Sequence, residues 1–385
     1  MLLLHGSTAT LATLVVQWFS AVVLMAQVGS GGVEAITFQH GTLSNAASQR
    51  VGRLGLLLAG AAGGLVLLVL PGGRALLGKG LGQQLWSVVS LAGTGLALCR
   101  TYGHSGAIKR QLGSELYSTS RDLLFIPMAL VMILIVPEQF RLWGLLAALG
   151  QWLFNHQLRL KHGVIAEPIS AQATLEGPSS VELQREALAG ALLALCGLGF
   201  VQLEAIVMGS VLSAAQFMTY NLMLRAMAMI TMSTVFVGLE TQQLLANQLE
   251  PLGDAPLHER STTCRLFRRL TTPLSLAVLL WLLVLGWRLQ QLTFVLALGL
   301  PQLLLKVINV RSGPTYPALR FNGHSGRAAA WLGLELLALL ATLIVLKALG
   351  QSWELTYASL LVFAALRIAT GVWLCRQTFG RMLWI

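Results

Sequence analysis

Hydrophobic residues run in long uninterrupted blocks along this chain, separated by polar stretches rich in Gly, Pro, Ser and Arg. The blocks are about 17–30 residues long, the length at which a helix crosses a hydrocarbon core about 30 Å thick. The period-two alternation of an outer-membrane barrel is absent. The pattern predicts eleven spans. The first five are Ser7–Val28, Leu54–Leu70, Leu81–Leu98, Tyr117–Val136 and Leu142–Leu158. The other six are Leu188–Ser210, Ala214–Ala246, Leu270–Trp287, Leu292–Val310, Ala328–Leu346 and Leu355–Cys375. The fold class expected is therefore all-α: a polytopic helical membrane protein of about eleven transmembrane helices.

Composition strengthens that reading. Of 385 residues, 55% are hydrophobic and 11% charged, and the mean hydropathy is +0.72. Soluble domains carry about 25% charged residues. The net charge of +11 would suggest nucleic acid in a soluble protein, but here it matches the basic cytoplasmic loops of membrane proteins. Nineteen of the 26 Lys and Arg residues fall after odd-numbered spans or in the C-terminal tail. Only Arg74, Lys79, Arg141, Arg288 and Lys347 fall on the other side, and Arg225 and Arg367 lie inside spans. The bias puts the odd loops and the C-terminus in the cytoplasm and the N-terminus outside. Lys306 is counted with a loop, although it also fits within the ninth span.

Two long polar linkers, 159–186 and 247–265, lie on the cytoplasmic side. The first divides five spans from six and is the expected lobe boundary: an N-terminal lobe over 1–160, a linker over 161–186 and a C-terminal lobe over 187–385. An internal repeat supports two pseudo-equivalent lobes. Arg100-Thr-Tyr-Gly-His-Ser-Gly106 recurs as Arg320-Phe-Asn-Gly-His-Ser-Gly326, at a turn after the third and after the ninth span. Such repeats build many transporters. A coincidence of turn-forming Gly and Ser is the alternative. The parity of five spans against six predicts that a first helix is missing, through truncation or a coding sequence that starts upstream of Met1.

The chemistry-bearing residues are few. The four cysteines and seven histidines form no metal-ligand spacing, and no phosphate-binding loop of the GxxxxGK[ST] type is present. No catalytic constellation, metal or cofactor is expected. The ionisable residues within spans stand out: Glu204, Arg225, Glu335 and Arg367, with Lys306 at the edge of the ninth. Arg225 lies roughly 17 Å into a helix that starts at Ala214, near the membrane midplane. An arginine there costs about 2.5–3.5 kcal/mol on insertion scales, so it faces a protein or water-filled interior. Asn221, four residues earlier, shares its face. The Met residues at 223, 227, 229 and 232 are read as helix packing.

The stretch Leu203-Glu-Ala-Ile-Val-Met-Gly209, followed by Tyr220-Asn-Leu-Met-Leu-Arg225, resembles the O-antigen translocase type of polysaccharide flippase, in the multidrug/oligosaccharidyl-lipid/polysaccharide exporter superfamily. Glu204 replaces the usual Asp, and Met218 stands where Gly is common. The turn 320–327 resembles the family's Gly-Arg turn. Gly29-Ser-Gly-Gly32 resembles the Gly-rich end of the family's second helix. The resemblance covers most of the chain diffusely, and it implies twelve helices in two six-helix lobes with both termini cytoplasmic. This chain departs from that pattern by one helix, and Met1–Gly6 looks like the far end of a lost one.

For function, the resemblance implies a transporter that flips a polyprenyl-linked oligosaccharide across a bacterial inner membrane, with partners among the lipid bilayer and the glycan-assembly membrane proteins and no nucleic acid. Arg225, Arg367, Lys306 and Asn221 are then candidates for binding the pyrophosphate and acidic sugars, because guanidinium donates two parallel hydrogen bonds to phosphate. Glu204 and Glu335 are candidates for ion coupling. A structural ion pair between Arg367 and Glu335 is the competing reading. At the level of the whole protein, the rivals are a cation-coupled drug exporter and a membrane-embedded glycan polymerase or ligase. The second would need a substantial external loop, and the external loops near Pro137, Val211 and Arg288 are a few residues each.

Overall fold

The computed structural model describes residues 9–40, 45–68, 76–77, 80–103, 137–161, 180–196, 200–228, 230, 262–313, 315–321 and 323–380. All regular structure among them is helical. Among the described residues, six helices are long and apolar enough to cross a membrane. The fourth expected span, Tyr117–Val136, the rest of the seventh after Ile230 and most of both polar linkers lie outside the described residues. Every other expected span is occupied by helix over its described part. The chain divides into two compact units, Met1–Val211 and Leu212–Ile385.

The first unit is built around α1 (Ala9–His40), which packs against α2 (Asn45–Leu68), α3 (Leu81–Gly103), α5 (Ser180–Ala194) and α6 (Phe200–Val211). A helix apolar on all sides belongs in an interior. The span Thr10–Glu34 of α1 is 72% buried, against about a third for the other five candidate spans. In lipid, apolar surface alone does not drive helices together, so close packing through small residues takes over. The run Gly29-Ser-Gly-Gly32 supplies it. A Cβ on Gly29 would lie 2.5 Å from Cys99 Sγ and 2.6 Å from the Gly55 carbonyl oxygen, and one on Gly32 would lie 2.5 Å from the Ala187 Cα. α1 passes without interruption through these glycines and ends at His40, twelve residues beyond the expected end at Val28. Here the Gly-rich segment is the middle of a helix and not its end. Its missing side chains admit α2, α3 and α5. α4 (Phe140–Lys161) packs on α3. The empty position at Gly144 receives the Trp18 ring, which also meets Phe140 edge-on at 5.7 Å.

The packing of α5 on α1 and α2 is why the first unit extends to Val211, past the polar linker expected to separate the lobes. The described residues of the sixth expected span form two helical segments. α5 runs into a π-type turn at Leu195 and Cys196, and α6 starts at Phe200.

In the second unit, α7 spans 214–228. Ser213 and Gln216 form a capping box: the Gln216 N–H donates to Ser213 Oγ at 3.4 Å, and the Ser213 N–H donates to Gln216 Oε1 at 3.2 Å. α8 (Thr262–Arg288) and α9 (Leu292–Arg311) form a tight hairpin. Lys306 lies inside α9, within the ninth expected span and not in a loop. α10 (Thr315–Phe321), α11 (Ser325–Ala348) and α12 (Trp353–Phe379) complete the unit. α10 occupies a stretch read from sequence as loop. At its end, Gly323 has φ +77°, and the His324 N–H donates to the Leu319 carbonyl at 3.0 Å. That is a glycine-terminated helix cap of the Schellman type, and it gives the Gly-His-Ser of the second repeat copy a local structural role. The corresponding turn of the first copy lies outside the described residues.

Candidate functional site

The expected site residues fall on five helices. Glu204 is on α6 in the first unit. Asn221 and Arg225 are on α7, Lys306 on α9, Glu335 on α11 and Arg367 on α12, all in the second.

α7 is two-faced. Tyr220 is fully buried and meets Tyr357 of α12 edge-on at 6.2 Å. Thr219 Oγ1 donates to Gln291 Oε1 at 3.3 Å, and Met223 and Met227 are fully buried. At about 100° per residue, Asn221 and Arg225 are rotated about 100° and 140° from Tyr220. Arg225 is exposed and Asn221 half-buried. The apolar face holds α7 to its unit, and Arg225 projects from the other side.

Glu335 and Arg367 are brought together. Thr370 Oγ1 donates to Glu335 Oε1, and Arg367 lies within electrostatic range of the same carboxylate. The second carboxylate oxygen, Oε2, is buried without a hydrogen-bond partner. Both residues sit near the middle of their helices. Glu335 is the eleventh residue of α11 and Arg367 the fifteenth of α12, roughly 15 and 21 Å along at about 1.5 Å per residue. Tyr316 of α10 donates its hydroxyl to the Arg367 carbonyl, so the short helix is tied to α12 beside the cluster. Cys375 Sγ donates to the Thr315 carbonyl at 3.5 Å, and Gly371 leaves room for Thr315 and Tyr316. Sequence reasoning missed Thr370 and Tyr316. Thr370 had a signal, since it lies one turn from Arg367 on the same face. Tyr316 had none, because its helix was read as loop.

In the first unit, Glu204 is 1% exposed. It lies two residues before Ile206, whose carbonyl accepts the Gln17 side-chain amide at 3.0 Å. Gly209 closes the motif for a steric reason. A Cβ there would lie 2.5 Å from Gln17 Nε2 and 2.8 Å from its Cδ. Gln17 belongs to a buried polar stripe on α1, with Thr13 four residues before and Ser20 three after. Sequence reasoning passed over this stripe, although three polar residues at helical spacing in an apolar span were visible. Among the described residues, no group of three or more His, Cys, Asp and Glu side chains is placed to hold a metal ion.

The fold and these buried polar groups define a class: a multi-pass helical membrane protein. Compared with protein-family models, curated proteins and solved structures, the chain finds no match.

Proposed function

We propose that this chain is a transporter that flips a polyprenyl-pyrophosphate-linked oligosaccharide from the cytoplasmic to the outer face of a bacterial inner membrane, by alternating access of two lobes. The observation that carries the reading is Arg225: a guanidinium on the exposed face of α7, near the membrane midplane by the residue count from Ala214, with Asn221 beside it and the apolar face turned to its own unit. A cation held at that depth is expensive unless it serves an anionic group or a water-filled path. A pyrophosphate head group provides the first, and a route for sugars requires the second. Lys306 and Arg367 add positive charge on neighbouring helices of the same unit. Glu204 and Glu335 supply carboxylates for coupling transport to protons or metal cations. Of the two, Glu335 has a half-satisfied carboxylate near the middle of α11.

Those two carboxylates also favour the second reading, a cation-coupled drug exporter. The two readings separate on substrate charge, because an exporter of cationic drugs gains nothing from Arg225. The test is the lipid fraction of cells lacking the gene. Flipping predicts that a complete lipid-linked oligosaccharide accumulates on the cytoplasmic leaflet and that the corresponding surface glycan is lost. Unchanged glycolipids together with new drug sensitivity would establish the exporter instead.

A further inference from the structure

The N-terminal turns of α8 carry Arg265, Arg268 and Arg269, all exposed. With Thr272 they occupy positions i, i+3, i+4 and i+7, an arc of about 100° on one helical face. Arg311, at the C-terminal end of α9, reaches the same face: its guanidinium donates to Thr272 Oγ1 at 3.5 Å. Four guanidinium groups from two helices therefore converge at one end of the α8–α9 hairpin.

Below them the same face changes character. Leu276, Leu280, Leu283 and Trp287 continue the stripe and are 56%, 63%, 38% and 76% exposed. From Arg269 to Trp287 the face runs about 27 Å, close to the thickness of a hydrocarbon core. The bias of basic residues toward the cytoplasmic side accounts for arginines at this level. It does not account for their convergence on one helical face, or for the exposed apolar track that leads away from them.

We propose that this face is a binding site for an anionic phospholipid, with its phosphate held by Arg265, Arg268, Arg269 and Arg311 and its acyl chains lying along Leu276, Leu280 and Leu283. Guanidinium forks match phosphate oxygens, and a basic cluster at the membrane surface attracts anionic lipid. Zwitterionic lipid offers the same tails without the net charge. The site is independent of the transported substrate and of the residues proposed to bind it.

The test titrates the purified full-length protein in detergent with phosphatidylglycerol or phosphatidylcholine and counts bound lipid by native mass spectrometry. Wild type should retain phosphatidylglycerol at concentrations at least tenfold below phosphatidylcholine. Each Arg→Gln substitution in the set should weaken retention about fivefold. The variant with all four replaced by Lys should fold, keep the charge and keep most of the preference. Glycerol phosphate, which has the charge but no chains, should not compete. Equal retention of the two lipids by wild type overturns the proposal, as does an undiminished preference after Arg268→Gln and Arg269→Gln. Full competition by glycerol phosphate also overturns it, because the apolar track would then contribute nothing.

Discussion

Replacing Gly32 with alanine tests the packing that organises the first unit. The added methyl would lie 2.5 Å from both the Cα and the carbonyl carbon of Ala187, and inside the envelope of its carbonyl oxygen. Carbon atoms in contact sit about 3.5–4.0 Å apart, so α1 and α5 must separate by about 1 Å. The obstacle is backbone, so no rotamer change relieves it. Overpacking in a tight core costs about 1–3 kcal/mol, and this geometry belongs at the upper end. A loss of about 3 kcal/mol should lower the melting temperature of the purified protein by roughly 5 °C. Internal controls come from α2. A Cβ added at Gly52 or Gly60 would meet nothing within 4 Å, so Gly52→Ala and Gly60→Ala should be neutral or gain about 0.5–1 kcal/mol from helix propensity. Removing the Ala187 methyl should not rescue Gly32→Ala, because the clash is with Ala187 backbone. Ala194→Gly should partly rescue Gly31→Ala, whose clash is with the Ala194 Cβ. Scanning fluorimetry of the detergent-solubilised variants reads all of these. If Gly32→Ala melts with Gly52→Ala, the close crossing of α1 and α5 is wrong.

The remaining predictions address the second unit and the orientation of the chain. Tyr316→Phe removes the hydroxyl bond to the Arg367 carbonyl and should destabilise by about 1 kcal/mol, read as a small fall in melting temperature. Partial desolvation of the ring, and then the nearby Arg327 guanidinium, lower the pKa of the His324 imidazole from its usual value. The folded form therefore binds the proton less readily than the unfolded chain. Its contribution is present above the unfolded pKa of about 6.5 and is lost as pH falls through the lower folded value. His324 is exposed, so the effect is small: a slight drop in melting temperature from pH 7.5 to 5.5 that His324→Asn abolishes. For topology, a reporter at the C-terminus should be cytoplasmic and one within 137–141 external. Finding both on one side contradicts the charge-based orientation.

The helical class was legible because apolar block length is a direct consequence of bilayer thickness, and blocks such as Leu292–Val310 coincide with their helices almost to the residue. The turn near Ser210–Ser213 was legible for the same reason. Other features were not. Gly29–Gly32 looks like a helix end in one dimension, because glycine weakens an isolated helix. In three dimensions its purpose is contact with Ala187, Gly190 and Ala194, about 160 residues away in the chain. α10 was read as loop because a seven-residue helix with a proline inside it leaves no periodic signature. The pairing of Glu335 with Thr370 depends on how α11 meets α12, which no local pattern encodes. Arg225 is the opposite case. Its face followed from counting residues along the span, and the buried Tyr220 and Met223 on the other side agree with that count.

The central claim concerns transport, and reconstitution tests it most directly. Wild-type protein and its Arg225 variants would be placed in proteoliposomes with a labelled polyprenyl-pyrophosphate oligosaccharide, and passage across the bilayer read by the accessibility of the sugar to an external enzyme. Wild type should flip the lipid. Arg225→Lys should retain part of the rate, since the charge remains and the fork geometry is lost. Arg225→Ala should be severely impaired, and Arg225→Glu worse, at equal protein levels in the vesicles. Undiminished flipping by Arg225→Ala, or no flipping by wild type above empty vesicles, would contradict the account.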